Sequence, residues 1–177
     1  RARGCNFAPR CAAAREAWLC ASDAHWHNPS SLYHEAGAAK RKLEEARERL
    51  GELLGCEPER IVFTGGATES NNAILARLGE TLGHQKRVLA SAIEHPSVRE
   101  PLQRYFAGRV SMVRATPQGG FDLDDFARQL GHDETGVVTA MAANNEGGVT
   151  QPWREIARMC RERGVPSHTG AAQWIGK

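Results

Sequence analysis

The chain has 177 residues, of which 41% are hydrophobic and 25% are charged, as in a globular protein of about one domain. Its 23 basic and 21 acidic residues give a net charge of +2, which provides no electrostatic reason to expect nucleic acid or an anionic membrane as a partner. No apolar segment approaches the length of about 20 residues that a membrane-spanning helix needs.

Two helices are predicted in the first third of the chain. Cys11–Ser22 is rich in alanine, the strongest helix former, and Glu35–Leu54 carries its leucines on one stripe with charges on the other faces. The segment between them, Asp23–Tyr33, is predicted to be a loop. Gly55 is predicted to cap the second helix at its C-terminus.

From residue 61 onward, short β-branched segments alternate with helical periods. The predicted strands are Ile61–Phe63, Arg87–Ser91, Arg109–Val113, Gly136–Met141 and Val165–His168. The predicted helices extend from the turn after Phe63 to about Leu82, and over Pro96–Phe106, Asp122–Leu130 and Pro152–Arg163. This alternation predicts an α/β fold with a mostly parallel sheet and helices on both faces. Because no covering element follows the last strand, we expect this sheet to be truncated before its last strands.

The turn after the first predicted strand has the composition of a phosphate site. Gly65 and Gly66 let a ligand approach the backbone closely, and the first N–H groups of the next helix favour an anion. Thr68 can add a hydroxyl donor or cap the helix. A tight turn without a ligand produces the same pattern, and the spacing matches neither a P-loop nor a dinucleotide fingerprint.

Polar residues also follow three later strands. His95 follows the second, Asn144 and Asn145 follow the fourth, and Gln173 follows the fifth. Ligands of parallel α/β sheets bind at the carboxyl ends of the strands. We therefore expect these residues to converge on one crevice.

The motifs FTGGATESNN, SAIEHPSV, MAANNEGGV and HTGAAQWIGK occur in this order along the chain. Together they resemble the successive motifs of the cysteine desulfurases, which are pyridoxal-phosphate enzymes of the class-V aminotransferase kind. The resemblance covers the chain from about His25 to Lys177. It implies that residues 25–177 are an incomplete cofactor-binding large domain of fold type I, and that residues 1–24 are an altered N-terminal arm with a short helix.

The resemblance implies roles for five residues and a cofactor, pyridoxal 5′-phosphate. Ala67 and Thr68 match the turn that binds the cofactor's phosphate. His95 matches the histidine that stacks on the pyridine ring, and it is the expected catalytic residue. Asn145 and Gln173 match side chains near the cofactor's phenolic oxygen.

The sequence departs from the family at several positions. Gly170 stands where the family has an aspartate that pairs with the pyridine nitrogen, and Thr169 could donate a hydrogen bond to that nitrogen but could not keep it protonated. Lys177 does not match the cofactor-bearing lysine, and none of the five cysteines matches the persulfide-bearing cysteine. We therefore expect the chain by itself to be inactive.

The function that the resemblance implies is that of the N-terminal part of a cysteine desulfurase, which converts L-cysteine to L-alanine and leaves the sulfur as a persulfide on an enzyme cysteine. The expected partners are a second copy in a homodimer, when the protein is complete, and a sulfur acceptor or iron–sulfur scaffold protein. Two alternatives stay open: a non-catalytic remnant that binds a partner subunit, and a related pyridoxal-phosphate-dependent lyase or aminotransferase.

Other reactive residues have simpler interpretations. Glu94 and Glu146 would suit a two-carboxylate hydrolase, but nothing in the sequence sets their separation. Cys56 and Cys160 are expected to be inert packing residues, and His168 to be a packed residue at a strand end. The scattered cysteines form no C-x-x-C pair, so we expect no metal site, and we expect a reducing, cytoplasmic setting.

Overall fold

A computed structural model describes residues 8–132 and 134–175. The chain divides into two compact units, one up to Phe63 and one from Thr64 onward. Among the described residues, no helix is both long enough and apolar enough to span a membrane. The boundary predicted at residue 24 concerns the family's domain and stays a prediction.

The first unit is helical. It contains α1 (Ala8–Ala24), α2 (His34–Leu54) and a short 3-10 helix (Pro58–Arg60). Both predicted helices are confirmed, and α1 is longer than predicted at each end. Gly55 ends α2 with a left-handed φ of 67°, which glycine adopts without steric cost.

The strand predicted at Ile61–Phe63 is wrong. Ile61 is extended, with φ −90° and ψ 122°, but the segment has no strand partner among the described residues. The Ile61 carbonyl instead accepts a hydrogen bond from the Arg47 guanidinium, which also lies 4.9 Å from the centre of the Phe63 ring. Apolar β-formers predict an extended backbone, but a strand also needs a neighbouring strand.

The second unit is a four-stranded parallel sheet in the order β2-β1-β3-β4. Its strands are β1 (Arg87–Ser91), β2 (Val110–Val113), β3 (Thr135–Thr139) and β4 (Ser167–His168). Its helices are α3 (Ala67–Thr81), α4 (Pro96–Tyr105), α5 (Leu123–Leu130) and α6 (Trp153–Glu162). The predicted α/β class and parallel sheet are confirmed. The last two predicted strands are longer than β3 and β4.

Helices cover both faces of this sheet because side chains alternate along each strand. On one face, Val88 and Val137 pack with Leu75 of α3 and with Leu102 of α4. On the other face, side chains of β1, β2 and β3 pack against α5 and α6; this set includes Leu89, Val113, Val138, Phe126, Ile156 and Cys160. The two apolar layers fix the sheet and so fix the edge at which its strands end.

Leu75 and Ile74 provide a test of this packing on a single helix. Leu75 is fully buried, whereas Ile74 is 49% exposed. We expect Leu75→Ala to lower the free energy of unfolding by about 3 kcal/mol, because it leaves a cavity. We expect the control Ile74→Ala to lower it by less than about 1 kcal/mol. Urea titrations followed by circular dichroism measure both values, and equal losses would contradict the assigned burial.

Candidate functional site

A cavity of about 170 Å³ lies at the carboxyl edge of the sheet. Its walls come from the N-terminus of α3 and from the turns that follow β1, β3 and β4. All five residues singled out in the sequence line it: Ala67, Thr68, His95, Asn145 and Gln173. Gly170 lines it as well. The structure therefore brings together residues that are up to 106 positions apart in the chain, by the difference between Gln173 and Ala67.

The N-terminus of α3 offers hydrogen-bond donors to the cavity. Gly66 precedes the helix, and no side chain caps it. The first N–H groups of a helix have no intrahelical acceptor, and Ala67 and Thr68 occupy these positions. The nearby Glu69 carboxylate accepts a hydrogen bond from the Gly65 N–H at 2.6 Å. The free N–H groups, the helix dipole and the Thr68 hydroxyl are features of the kind that can bind an anion.

His95 is held by a chain of hydrogen bonds. Its Nδ1 accepts from the Ser97 backbone N–H at 3.1 Å and lies 2.9 Å from the Ser97 hydroxyl. That hydroxyl accepts from the Asn71 side-chain amide at 2.9 Å. Because Nδ1 is an acceptor here, the proton of the neutral imidazole resides on Nε2. His95 is also the N-cap of α4, so helix and imidazole position each other.

The two adjacent asparagines after β3, Asn144 and Asn145, make different contacts. Asn144 donates to the Ile93 carbonyl at 3.1 Å and accepts from the N–H groups of Glu146 and Gly147. It therefore ties the turn after β3 to the turn after β1. Asn145 is exposed and lines the cavity, which leaves its amide available for a ligand.

In the turn after β4, the Thr169 hydroxyl donates to the Ala140 carbonyl. The donor that the sequence offered near Gly170 is therefore engaged by a nearby backbone acceptor. Gly170 accepts from the Ala142 N–H at 2.9 Å through its carbonyl. A Cβ built on Gly170 meets its nearest atom, the Cβ of Met141, at 4.0 Å. The cavity therefore has room for a side chain at this position.

Glu94 is a site residue that the sequence analysis missed. It lines the cavity and is only 4% exposed, and neither carboxylate oxygen has a hydrogen-bond partner among the described residues. Burial raises the pKa of Glu94 from 4.5 to about 7, although the nearby N–H groups of Met141 and His95 and the Thr139 hydroxyl act in the opposite direction. The signal in the sequence that could have indicated this role is the position of Glu94 beside His95, directly after a predicted strand.

The remaining residues of interest have structural roles. His168 is partly buried and lies 2.9 Å from the Thr139 hydroxyl through Nδ1, and desolvation lowers its pKa. Cys160 is buried in the core, where burial raises the pKa of its thiol to about 11, so its interpretation as a packing residue is confirmed. Within residues 8–132 and 134–175, no three His, Cys, Asp or Glu side chains form a group that could hold a metal.

Comparisons with known proteins agree on one family. The aminotransferase class-V family matches residues 9–177. A cysteine desulfurase IscS of Rickettsia felis is 37% identical over 154 residues, which are 85% of this chain and 37% of that protein. A mitosomal cysteine desulfurase of Trachipleistophora hominis is 34% identical over 156 residues, or 85% of this chain and 35% of that protein. The chain thus spans little more than a third of the length of these relatives.

Solved structures have the same fold. A NifS-like protein aligns with a TM-score of 0.83 and 32% identity over 92% of this chain and 46% of its own. SspA, solved in complex with cysteine, aligns with a TM-score of 0.82 and 30% identity over 92% of this chain and 48% of its own. DndA of Streptomyces lividans aligns with a TM-score of 0.77 and 36% identity over 95% of this chain and 47% of its own.

The raised pKa of Glu94 predicts a pH dependence of stability. An unfolded glutamate, with a pKa near 4.5, loses its proton before the folded one does, at about 7. The free energy of unfolding should therefore fall by about 3 kcal/mol as the pH rises from about 4.5 to 7. His168 acts in the opposite direction, because its lowered pKa adds stability as the pH rises towards 6.5.

Glu94→Gln separates the two contributions. Between pH 5 and pH 8 we expect the variant to lack the loss of stability that Glu94 causes, while the contribution of His168 remains. Urea titrations at both pH values measure the difference between the two proteins. Parallel pH profiles for the wild type and Glu94→Gln would contradict the raised pKa.

Proposed function

Because this chain belongs to the class-V aminotransferase family, we propose that it forms part of a pyridoxal-phosphate-dependent cysteine desulfurase. The observation that carries the proposal is the convergence of Ala67, Thr68, His95, Asn145 and Gln173 around one cavity. The cysteine desulfurases among its relatives, at 34–37% identity, favour this activity over the other reactions of the family.

The donors in the cavity suit pyridoxal 5′-phosphate. The N–H groups at the start of α3 and the Thr68 hydroxyl would hold the phosphate. The amides of Asn145 and Gln173 would bind the phenolic oxygen, and the His95 imidazole would lie against the ring. When bound, the cofactor supplies an electron sink that stabilises negative charge on the substrate carbon.

The chain's own residues orient His95 for proton transfer. The Asn71–Ser97 hydrogen bonds fix Nδ1 as an acceptor and so leave the proton at Nε2. We assign to this atom the transfer of a proton to and from the substrate. The reaction that we propose for the whole protein moves the sulfur of L-cysteine to an enzyme thiol: the C–S bond breaks, an S–S bond forms in a persulfide, and L-alanine is released.

Within the described part of the chain, no lysine and no cysteine lines the cavity. We therefore propose that these 177 residues bind the cofactor without a covalent bond and do not turn over cysteine alone. For the whole protein we propose a cytoplasmic homodimer that passes its sulfur to an acceptor or to an iron–sulfur scaffold protein.

Thr68→Val tests the phosphate site. The purified chain is titrated with pyridoxamine 5′-phosphate, which has no aldehyde to react with surface lysines, and with pyridoxamine, which has no phosphate. We expect Thr68→Val to weaken binding of the phosphorylated probe by about tenfold, because a hydrogen bond to a charged group is lost. Binding of pyridoxamine should not change.

Thr81→Val is the matched control for this variant. Thr81 lies at the other end of α3, where its hydroxyl donates to the Arg77 carbonyl. Isothermal titration calorimetry gives each dissociation constant. An equal loss with Thr81→Val, or no preference of the wild type for the phosphorylated probe, would contradict the proposed phosphate site.

The activity itself is tested on the full-length product of the gene that encodes this chain. With L-cysteine, pyridoxal 5′-phosphate and dithiothreitol, we expect equal amounts of alanine and sulfide, and a much lower rate for His95→Ala. L-Serine serves as the control substrate and should yield no alanine. Transfer of the amino group to a 2-oxo acid, without sulfide, would instead identify an aminotransferase.

A further inference from the structure

The burial of Glu94 needs an explanation. Its side chain is 96% buried, as the complement of its 4% exposure, and both carboxylate oxygens lack a partner in the described structure. Buried polar groups of native proteins are nearly always hydrogen-bonded, since an unpaired one is costly. A group of this kind in the wall of a cavity marks a place where a ligand atom completes the bonding.

Among residues 8–132 and 134–175, Glu94 is also the only acidic residue that lines the cavity. Asn71, Ser97 and His95 bond to one another, and the Thr169 hydroxyl bonds to Ala140. Gly170 contributes no side chain. Among the described residues around the cavity, Glu94 is therefore the only one that could neutralise a positive charge on a ligand.

We propose that the Glu94 carboxylate binds the protonated ring nitrogen of pyridoxal 5′-phosphate in this chain. This inference rests on the proposed function, because it takes the cofactor as the ligand. A pyridine nitrogen that keeps its proton in a protein needs an anionic partner, and Glu94 provides one from the turn after β1 rather than from the turn after β4. No proton is gained or lost in this step. A neutral Glu94 gives its proton to the ring nitrogen, which leaves a carboxylate hydrogen-bonded to a pyridinium N–H.

The test uses two probes that differ in one ring atom. One is pyridoxamine 5′-phosphate, and the other is its 1-deaza analogue, in which carbon replaces the ring nitrogen. The wild-type chain should bind the nitrogen-containing probe about tenfold more tightly, since only this probe forms a charge-assisted hydrogen bond. This comparison needs no variant, so it holds even if a substitution impairs folding.

Variants then identify Glu94 as the partner. Glu94→Gln should remove the preference for the nitrogen-containing probe and leave the affinity for the deaza analogue within about twofold. Adding Gly170→Asp to Glu94→Gln should restore the preference, because a side chain fits at Gly170. The control is Glu146→Gln, a change at an exposed carboxylate in the turn after β3, and it should affect neither probe.

The outcomes separate this inference from the proposed function. If the wild type binds both probes equally, the cofactor site stands and the role of Glu94 is overturned. An equal loss of both probes in Glu94→Gln overturns it too, because it indicates a purely structural effect. If the wild type binds neither probe at millimolar concentration, the proposed function fails and the inference fails with it.

Discussion

The parallel pairing of β1, β3 and β4 is the constraint on which the site depends. The pairing of β3 with β4 continues past the strand ends, where the Ala142 N–H donates to the Gly170 carbonyl. The Asn144 amide adds a bond between two of the turns. These bonds hold the turns that follow the three strands at one edge of the sheet, where His95, Asn145 and Gln173 line the cavity.

Much of this arrangement could be predicted from the sequence because the strand-end rule needs only the order of elements. Strands that alternate with helices run parallel, and residues that follow them meet at one edge; His95, Asn145 and Gln173 do so. Element ends were less accurate. The segment Ile61–Phe63 shows why a strand could be wrongly predicted: its residues are extended, but pairing depends on a neighbour that local sequence does not specify.

Glu94 and Thr169 could not be interpreted from the sequence for a different reason. Glutamate is among the residue types that are almost never fully buried unless they are paired, so nothing in the sequence indicated that Glu94 is buried. In the structure, Glu94 and its neighbour His95 differ completely in exposure. The Thr169 hydroxyl turns to a backbone carbonyl. Side-chain direction in an irregular turn has no periodicity, so only the structure reveals which group reaches the cavity.

The placement of Glu94 links stability to binding. Local rules that favour folding are broken mainly at functional sites, and a carboxylate buried without a partner breaks one. Its ionised form is unfavourable in the ligand-free cavity because the nearby N–H groups and the Thr139 hydroxyl compensate its desolvation only in part, which is why burial raises its pKa to about 7. A cation in the cavity would reverse that balance. A ligand that binds only the folded chain also stabilises it. Glu94 lowers the stability of the ligand-free fold near neutral pH, and a pyridinium bound to the same carboxylate would raise that stability.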